Sequence, residues 1–110
     1  MKLSDRRFTL PSTLATIREV FGVKEFDLDP CADSFTRIAK RQFEPMHNGL
    51  VRDWFGRVYV NPPFSGIAPW VDKAIHELPR VKSVTFLLPA NRTDQAWWGH
   101  LFRFARRGVA

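Results

Sequence analysis

The apolar run Val58-Tyr59-Val60 passes directly into Asn61-Pro62-Pro63-Phe64, and no regular element can run through that junction. Each proline fixes φ and lacks a backbone N–H, so a strand reaching this point has to end in a stiffened loop. Phe26-Asp27-Leu28 runs in the same way into Asp29-Pro30-Cys31-Ala32, and Val84 to Leu88 runs into Pro89. A further strand is predicted around Ile38 to Phe43. Between these runs the apolar period changes to that of helices. Ser12 caps a predicted helix in which Leu14, Ile17 and Phe21 share a face and which Gly22 stops. A second helix, from about Ala68 to Leu78, puts Ala68, Val71, Ile75 and Leu78 on one side. A third pattern opens at Thr93-Asp94 with Trp97, Leu101 and Ala105 aligned. This alternation predicts an α/β fold with a mostly parallel sheet flanked by helices and right-handed crossovers. The crevice outside the carboxyl ends of its strands is where Asp29, Asn61 and Pro89 fall. With no repeat, linker or low-complexity tract, residues 1–110 read as a single domain.

The residues of the stiffened loop suit one kind of chemistry. The amine of a planar heterocycle is a poor nucleophile because its lone pair is delocalised into the ring. An Asn61 side-chain oxygen and the carbonyl of Pro62 can accept its two N–H hydrogens, aiming the lone pair at the sulfonium methyl of S-adenosylmethionine without a strong base. Pro63 stiffens the segment, and Phe64 offers a face for a base. Stacking of that kind is worth roughly 1–3 kcal/mol, which helps offset the few kcal/mol needed to draw a base out of a duplex. Taken alone, Asn-Pro-Pro is also an ordinary turn that stops a strand.

Asp29-Pro30-Cys31-Ala32 supplies the context. It joins a carboxylate to small side chains at a strand end, where a nucleotide-like cofactor can approach the backbone and place a hydroxyl or amino group on the carboxylate. Asn61 follows roughly thirty residues later, the scale of one βαβ unit. The plainer alternative is that Asp29-Pro30 only ends a strand and Cys31 is a small buried hydrophobe.

Asp29-Pro30-Cys31-Ala32, Asn48-Gly49-Leu50, Trp54, Val60-Asn61-Pro62-Pro63-Phe64-Ser65, Trp70-Val71-Asp72-Lys73-Ala74 and Leu87-Leu88-Pro89-Ala90 together resemble the phage-type DNA N6-adenine methyltransferases. The ordered match runs from about Leu10-Pro11 to about Trp98, and Asn-Pro-Pro-Phe with Asp-Pro-Cys-Ala ahead of it is its specific part. The resemblance implies a Rossmann-like methyltransferase fold, S-adenosyl-L-methionine as donor, and adenine in double-stranded DNA as acceptor. Carried over by position, Asn61, Pro62, Pro63 and Phe64 form the catalytic loop, while Pro11, Asp29, Pro30, Cys31 and Ala32 line the cofactor pocket. Glu44 and Asn48 are alternative contacts for the cofactor's ribose or adenine. Leu10-Pro11 stands where members often carry Thr-Pro, with Thr9 and Thr13 as the nearest hydroxyls. Phe64 replaces a common Tyr and keeps its stacking face. The chain is also short for such a sheet, so a partner chain or a missing C-terminal segment is expected to cover the sheet edge.

A net charge of +6 favours a polyanionic partner, and Arg37, Lys40 and Arg41, or Arg92, Arg103, Arg106 and Arg107, are candidates for phosphates, beside the alternative of a solvated surface. A single cysteine excludes an internal disulfide, and His47, His76 and His100 stand apart, so no metal site is expected. Trp54, Trp70, Trp97 and Trp98 read as packing residues. No apolar stretch suits a membrane span and the first residues lack a signal-peptide core, so the expected location is the cytoplasm of a bacterial or phage-infected cell. Two other functions fit the same residues. One moves the methyl to a cytosine amine, an RNA base or a protein glutamine; the other is a non-catalytic, truncated DNA-binding remnant.

Overall fold

Four short strands form one sheet, with all neighbouring pairs parallel and the order β2-β1-β3-β4, and the β-branched and aromatic residues concentrate in β3 and β4. The computed structural model describes residues 11–22, 25–33, 37–88 and 96–99. Helix α1 spans Pro11–Phe21, and strands β1 (Phe26–Asp29) and β2 (Ala39–Gln42) follow. Two 3-10 turns, Pro45–His47 and Gly49–Val51, then lead to β3 (Gly56–Val60), helix α2 (Ile67–Glu77) and β4 (Val81–Phe86). Residues 96–99 are helical. The expected α/β architecture is present.

The core around the sheet divides into separate clusters, and in β3 alternation sends Val58 and Val60 one way and Tyr59 the other. Leu28, Val58 and Val60 point to one face, where Trp70 and Ala74 of α2 pack with Phe43 and Trp54. Phe26, although only two residues from Leu28, packs with Tyr59 in a second cluster, where they meet Ile17 of α1, Ile38 just ahead of β2 and Ala39 of β2. The Phe26 and Tyr59 rings lie 5.2 Å apart, a tilted aromatic pair in that cluster. Trp97 packs on Ile67 and Val71. Trp54, Trp70 and Trp97 are thus core residues, as their burial habits predict, while Trp98 is half-buried.

Several expectations are corrected in detail. Helix α1 already contains Ser12, because Pro11 is tolerated in a first turn, where its missing N–H costs nothing. Its stop is the expected one: Gly22 has φ +66°, a left-handed conformation open to glycine. Strand β4 begins at Val81, three residues before the apolar run, because its backbone pairs along the whole of β3 from Gly56↔Val81 to Val60↔Phe86. The buried face of α2 consists of Ile67, Trp70, Val71, Ala74 and Glu77; Ala68 and Leu78 are exposed and Ile75 is half-buried. The stripe is rotated because Glu77, rather than Leu78, turns inward to meet Trp54, Lys73 and Arg80. The link from β2 to β3 uses the two 3-10 turns rather than an α-helix. Pro89, and the helix expected from Thr93 apart from residues 96–99, lie outside the described residues.

Candidate functional site

From β1 the chain moves to β2 on one side and then returns to β3 on the other. The point between β1 and β3 is therefore a topological switch point, where the connections diverge and leave a crevice at the carboxyl edge. Leu28 pairs with Val58 across it. Asp29 closes β1 and Asn61 follows the last residue of β3, so the two side chains singled out in the sequence emerge from adjacent strands at the same edge.

The Asp29–Ala32 loop is held from several directions. Asp29 is 4 % exposed, and its Oδ1 accepts the Cys31 N–H at 3.2 Å. The Asp29 carbonyl accepts the Phe43 N–H at 2.9 Å, and the Phe43 carbonyl accepts the Ala32 N–H at 3.1 Å. Pro30 is buried against Gly49, where a Cβ would lie 1.9 Å from the Pro30 carbonyl oxygen. Only glycine permits that approach. Asn48, left-handed at φ 49° and exposed, precedes this contact, which brings it to the same loop. Pro11 opens α1, and its side chain lies outside the described set.

A chain of buried contacts ties this loop to α2. Trp54 Nε1 donates to the Gly49 carbonyl at 2.8 Å, and its ring stacks on Trp70 at 6.3 Å and 19°. Lys73 Nζ stands 5.9 Å from the Trp54 ring centroid and makes a 2.6 Å ion pair with Glu77 Oε1. Arg80 Nε lies 2.8 Å from Glu77 Oε2. Burial alone raises the pKa of Glu77. The Lys73 hydrogen bond and charge, the Trp54 N–H and the Arg80 charge outweigh it, so the carboxyl titrates below the usual range.

The loop after β3 is built differently. Val60 accepts the Leu87 N–H at 2.9 Å, which extends the β3–β4 pairing to the last residue before Asn61. Asn61 is 8 % exposed, Pro62 is fully buried and Pro63 is half-buried. The Pro63 carbonyl accepts the Gly66 N–H at 3.0 Å, closing a turn one residue beyond Pro62 and leading into α2. Phe64, at 39 % exposed, presents its ring at the surface of this turn. The sheet thus gathers Asp29, Pro30, Cys31, Ala32, Asn61 and Pro62 at one switch point, with Asn48 attached through Gly49 and Phe64 at the rim.

Sequence reasoning missed Glu77, whose signal was the Lys73, Glu77, Arg80 spacing at i, i+4 and i+3. It also missed Gln42, whose Oε1 accepts the Ile38 N–H at 2.7 Å and shapes the entry to β2. Glu44 stands within the turn that His47 Nδ1 closes by accepting the Glu44 N–H at 2.9 Å. Among the described residues, no group of three or more His, Cys, Asp or Glu is arranged to hold a metal ion, and no helix is long and apolar enough to cross a membrane.

The family model described as DNA N-6-adenine-methyltransferase (Dam) matches residues 3–107. The chain is 34 % identical over 93 residues to a DNA N-6-adenine-methyltransferase of Haemophilus phage HP1 (strain HP1c1), covering 83 % of this chain and 53 % of the relative. It is 32 % identical over 104 residues to a protein of the same description from Escherichia phage T1, covering 87 % of this chain and 41 % of the relative. The chain therefore spans about half, or less, of the length of these curated relatives. No solved structure matches it.

Proposed function

The chain belongs to the DNA N-6-adenine-methyltransferase family, and from that premise we propose that it moves a methyl group from S-adenosylmethionine to the exocyclic amine of adenine in double-stranded DNA. The observation that carries the reading is the position of Asn61-Pro62 immediately after β3, across the switch point from Asp29.

The residues at the end of β1 fit the donor. A buried carboxylate stands beside two small side chains, Cys31 and Ala32, on a loop that backbone bonds hold rigid. Asp29, Pro30, Cys31 and Ala32, with Asn48 and Pro11, would hold S-adenosylmethionine. When bound, that cofactor supplies an electrophilic sulfonium methyl.

The chain's own residues do the rest by positioning. The Asn61 carboxamide oxygen and the Pro62 carbonyl each accept one N–H of the adenine amine, which directs its lone pair away from the ring plane. Packing around Asn61 and Pro62 fixes both acceptors before the base arrives, so little ordering is left to the reaction itself. Phe64, exposed beside them, stacks on a base turned out of the duplex. Transfer would be a direct displacement in which the amine nitrogen, held by Asn61 and Pro62, takes the methyl group as the bond from that carbon to the donor sulfur breaks, the surplus amine proton passing to water. This reaction places the protein where DNA is found, in the cytoplasm of a bacterial or phage-infected cell.

Labelled methyl transfer to unmethylated duplex DNA, followed by digestion to nucleosides, tests the proposal. N6-methyladenine from the wild type, with its loss in Asn61→Ala while cofactor binding stays within a few-fold, is the expected result. Equal activity in Asn61→Ala would remove Asn61 from the acceptor site, and methylcytosine as product would replace the acceptor.

A further inference from the structure

Two arginines converge on one buried ring beside the crevice. The guanidinium carbon of Arg41 lies 5.9 Å from the Phe43 ring centroid and that of Arg52 lies 5.7 Å from it. Phe43 is 8 % exposed, whereas both arginines are exposed. Their cations are drawn to the ring face, but their mutual repulsion works against the arrangement. Among the described residues neither arginine has a carboxylate partner; the ion pairs there belong to Lys73 and Arg80.

The platform is stiff and its place is fixed. Glu44 and His47 close the turn after Phe43 through two bonds, and Arg52 Nε donates to the His47 carbonyl. That bond uses one of the five N–H groups of the Arg52 fork and orients the others. The Phe43 backbone is bonded on both sides to the loop from Asp29 to Ala32. Since β1 alone separates β2 from β3, Phe43 stands about two strand spacings, roughly 10 Å, from the strand that delivers Asn61.

We infer that Arg41 and Arg52 form a phosphate clamp on the Phe43 platform, gripping the phosphodiester backbone of the DNA strand beside the nucleotide drawn into the crevice. The inference rests on the DNA reading above and goes beyond it by assigning the backbone contact. The ligand chemistry follows from the donor set: planar guanidinium forks match phosphate oxygens, and duplex DNA offers about one negative charge per 1.7 Å of axis. Such contacts set register and orientation without reading bases.

The test is equilibrium binding of the whole chain to a labelled duplex oligonucleotide between about 50 and 200 mM salt. The variants are Arg41→Gln, Arg52→Gln, their double, and the double replacement by lysine. Arg57→Gln, an exposed arginine near the opposite end of β3, is the control. Each single variant is expected to flatten the slope of log K against log salt by about 0.9, and the double variant by about twice that. The lysine pair should keep the wild-type slope, and Arg57→Gln should leave it unchanged. A double variant with the wild-type slope, or an equal loss in Arg57→Gln, overturns the clamp and leaves Arg41 as a charge guarding the edge strand β2. Should the double variant not fold, the single variants carry the test. If the wild type methylates DNA while the slopes stay equal, only the clamp falls; if it neither binds nor methylates DNA, the proposed function falls with it.

Discussion

Glu77 and Trp54, 23 residues apart in the chain, meet in the core, where the backbone N–H of Trp54 donates to Glu77 Oε1 at 3.3 Å. The last turn of α2 therefore holds the residue whose indole holds Gly49, and Gly49 holds Pro30 in turn. Glu77→Ala strips this arrangement of its anion. It leaves Lys73 without its counter-ion at 14 % side-chain exposure and the Trp54 N–H without an acceptor. A loss of about 3–5 kcal/mol is expected, the usual cost of removing one member of a buried pair. Urea denaturation measures it, and a loss below about 1 kcal/mol would show that the contact does not support the fold.

The same carboxyl makes stability depend on acid. Its folded pKa lies below the unfolded value, which is about 4.3 for glutamate, so the unfolded chain binds more protons as pH falls. The contribution is therefore complete above about pH 4.3 and is lost as pH falls through the lower, folded value. The stability difference between wild type and Glu77→Gln should be constant from neutral pH to about pH 5 and shrink on further acidification. Urea midpoints at a series of pH values give that difference, and one that is flat throughout would contradict the assignment.

Gly49→Ala puts a methyl group into backbone. The Pro30 carbonyl oxygen, 1.9 Å from the added carbon, cannot yield as a flexible side chain would. The two loops must part, at about 1–3 kcal/mol of stability. Since Pro30 belongs to the proposed donor pocket, calorimetric titration with S-adenosylmethionine should weaken more than binding to duplex DNA. Unchanged cofactor affinity in a destabilised variant would separate Gly49 from the pocket.

Phe64 and Asp29 should divide the two ligands between them. Removing the half-exposed ring in Phe64→Ala is expected to cost about 1–3 kcal/mol in binding DNA with a target base and little in binding cofactor. Asp29→Ala should show the reverse pattern. Titration of each variant with each ligand is decisive, because exchanged phenotypes would invert the map of the crevice.

Phe26, Leu28 and Val58 to Val60 were legible as strand interiors because β-branched and aromatic side chains ran straight into proline-bearing loops, and the same pattern put Asp29 and Asn61 at the ends of their strands, where the structure has them. The start of β4 was not, since Val81-Lys82-Ser83 carries too little apolar signal and is held by pairing with β3. The face of α2 was misread at both ends, where Ala68 and Leu78 are exposed and Ile67 and Glu77 are buried. A periodic pattern assigns Leu78 inward and Glu77 outward, and only the tertiary partners Lys73, Arg80 and Trp54 reverse them. Gly49 against Pro30, and Arg41 with Arg52 on Phe43, were invisible for a related cause: each depends on how separate loops meet.

The stretch 51–53 that leads from the second 3-10 turn toward β3 is exposed throughout, whereas β3 is buried from Val58 to its end. Extra residues added to 51–53 would shift Arg52 relative to His47 and Phe43 but leave the pairing of Leu28 with Val58 untouched. One extra residue inside β3 would exchange the faces of Val58, Tyr59 and Val60 and swing Asn61 off the crevice. Added length at 51–53 would therefore act on the Arg52 and Trp54 contacts with His47 and Gly49, whereas added length after Gly56 would act on the strand itself and on the spacing from Val58 to Asn61.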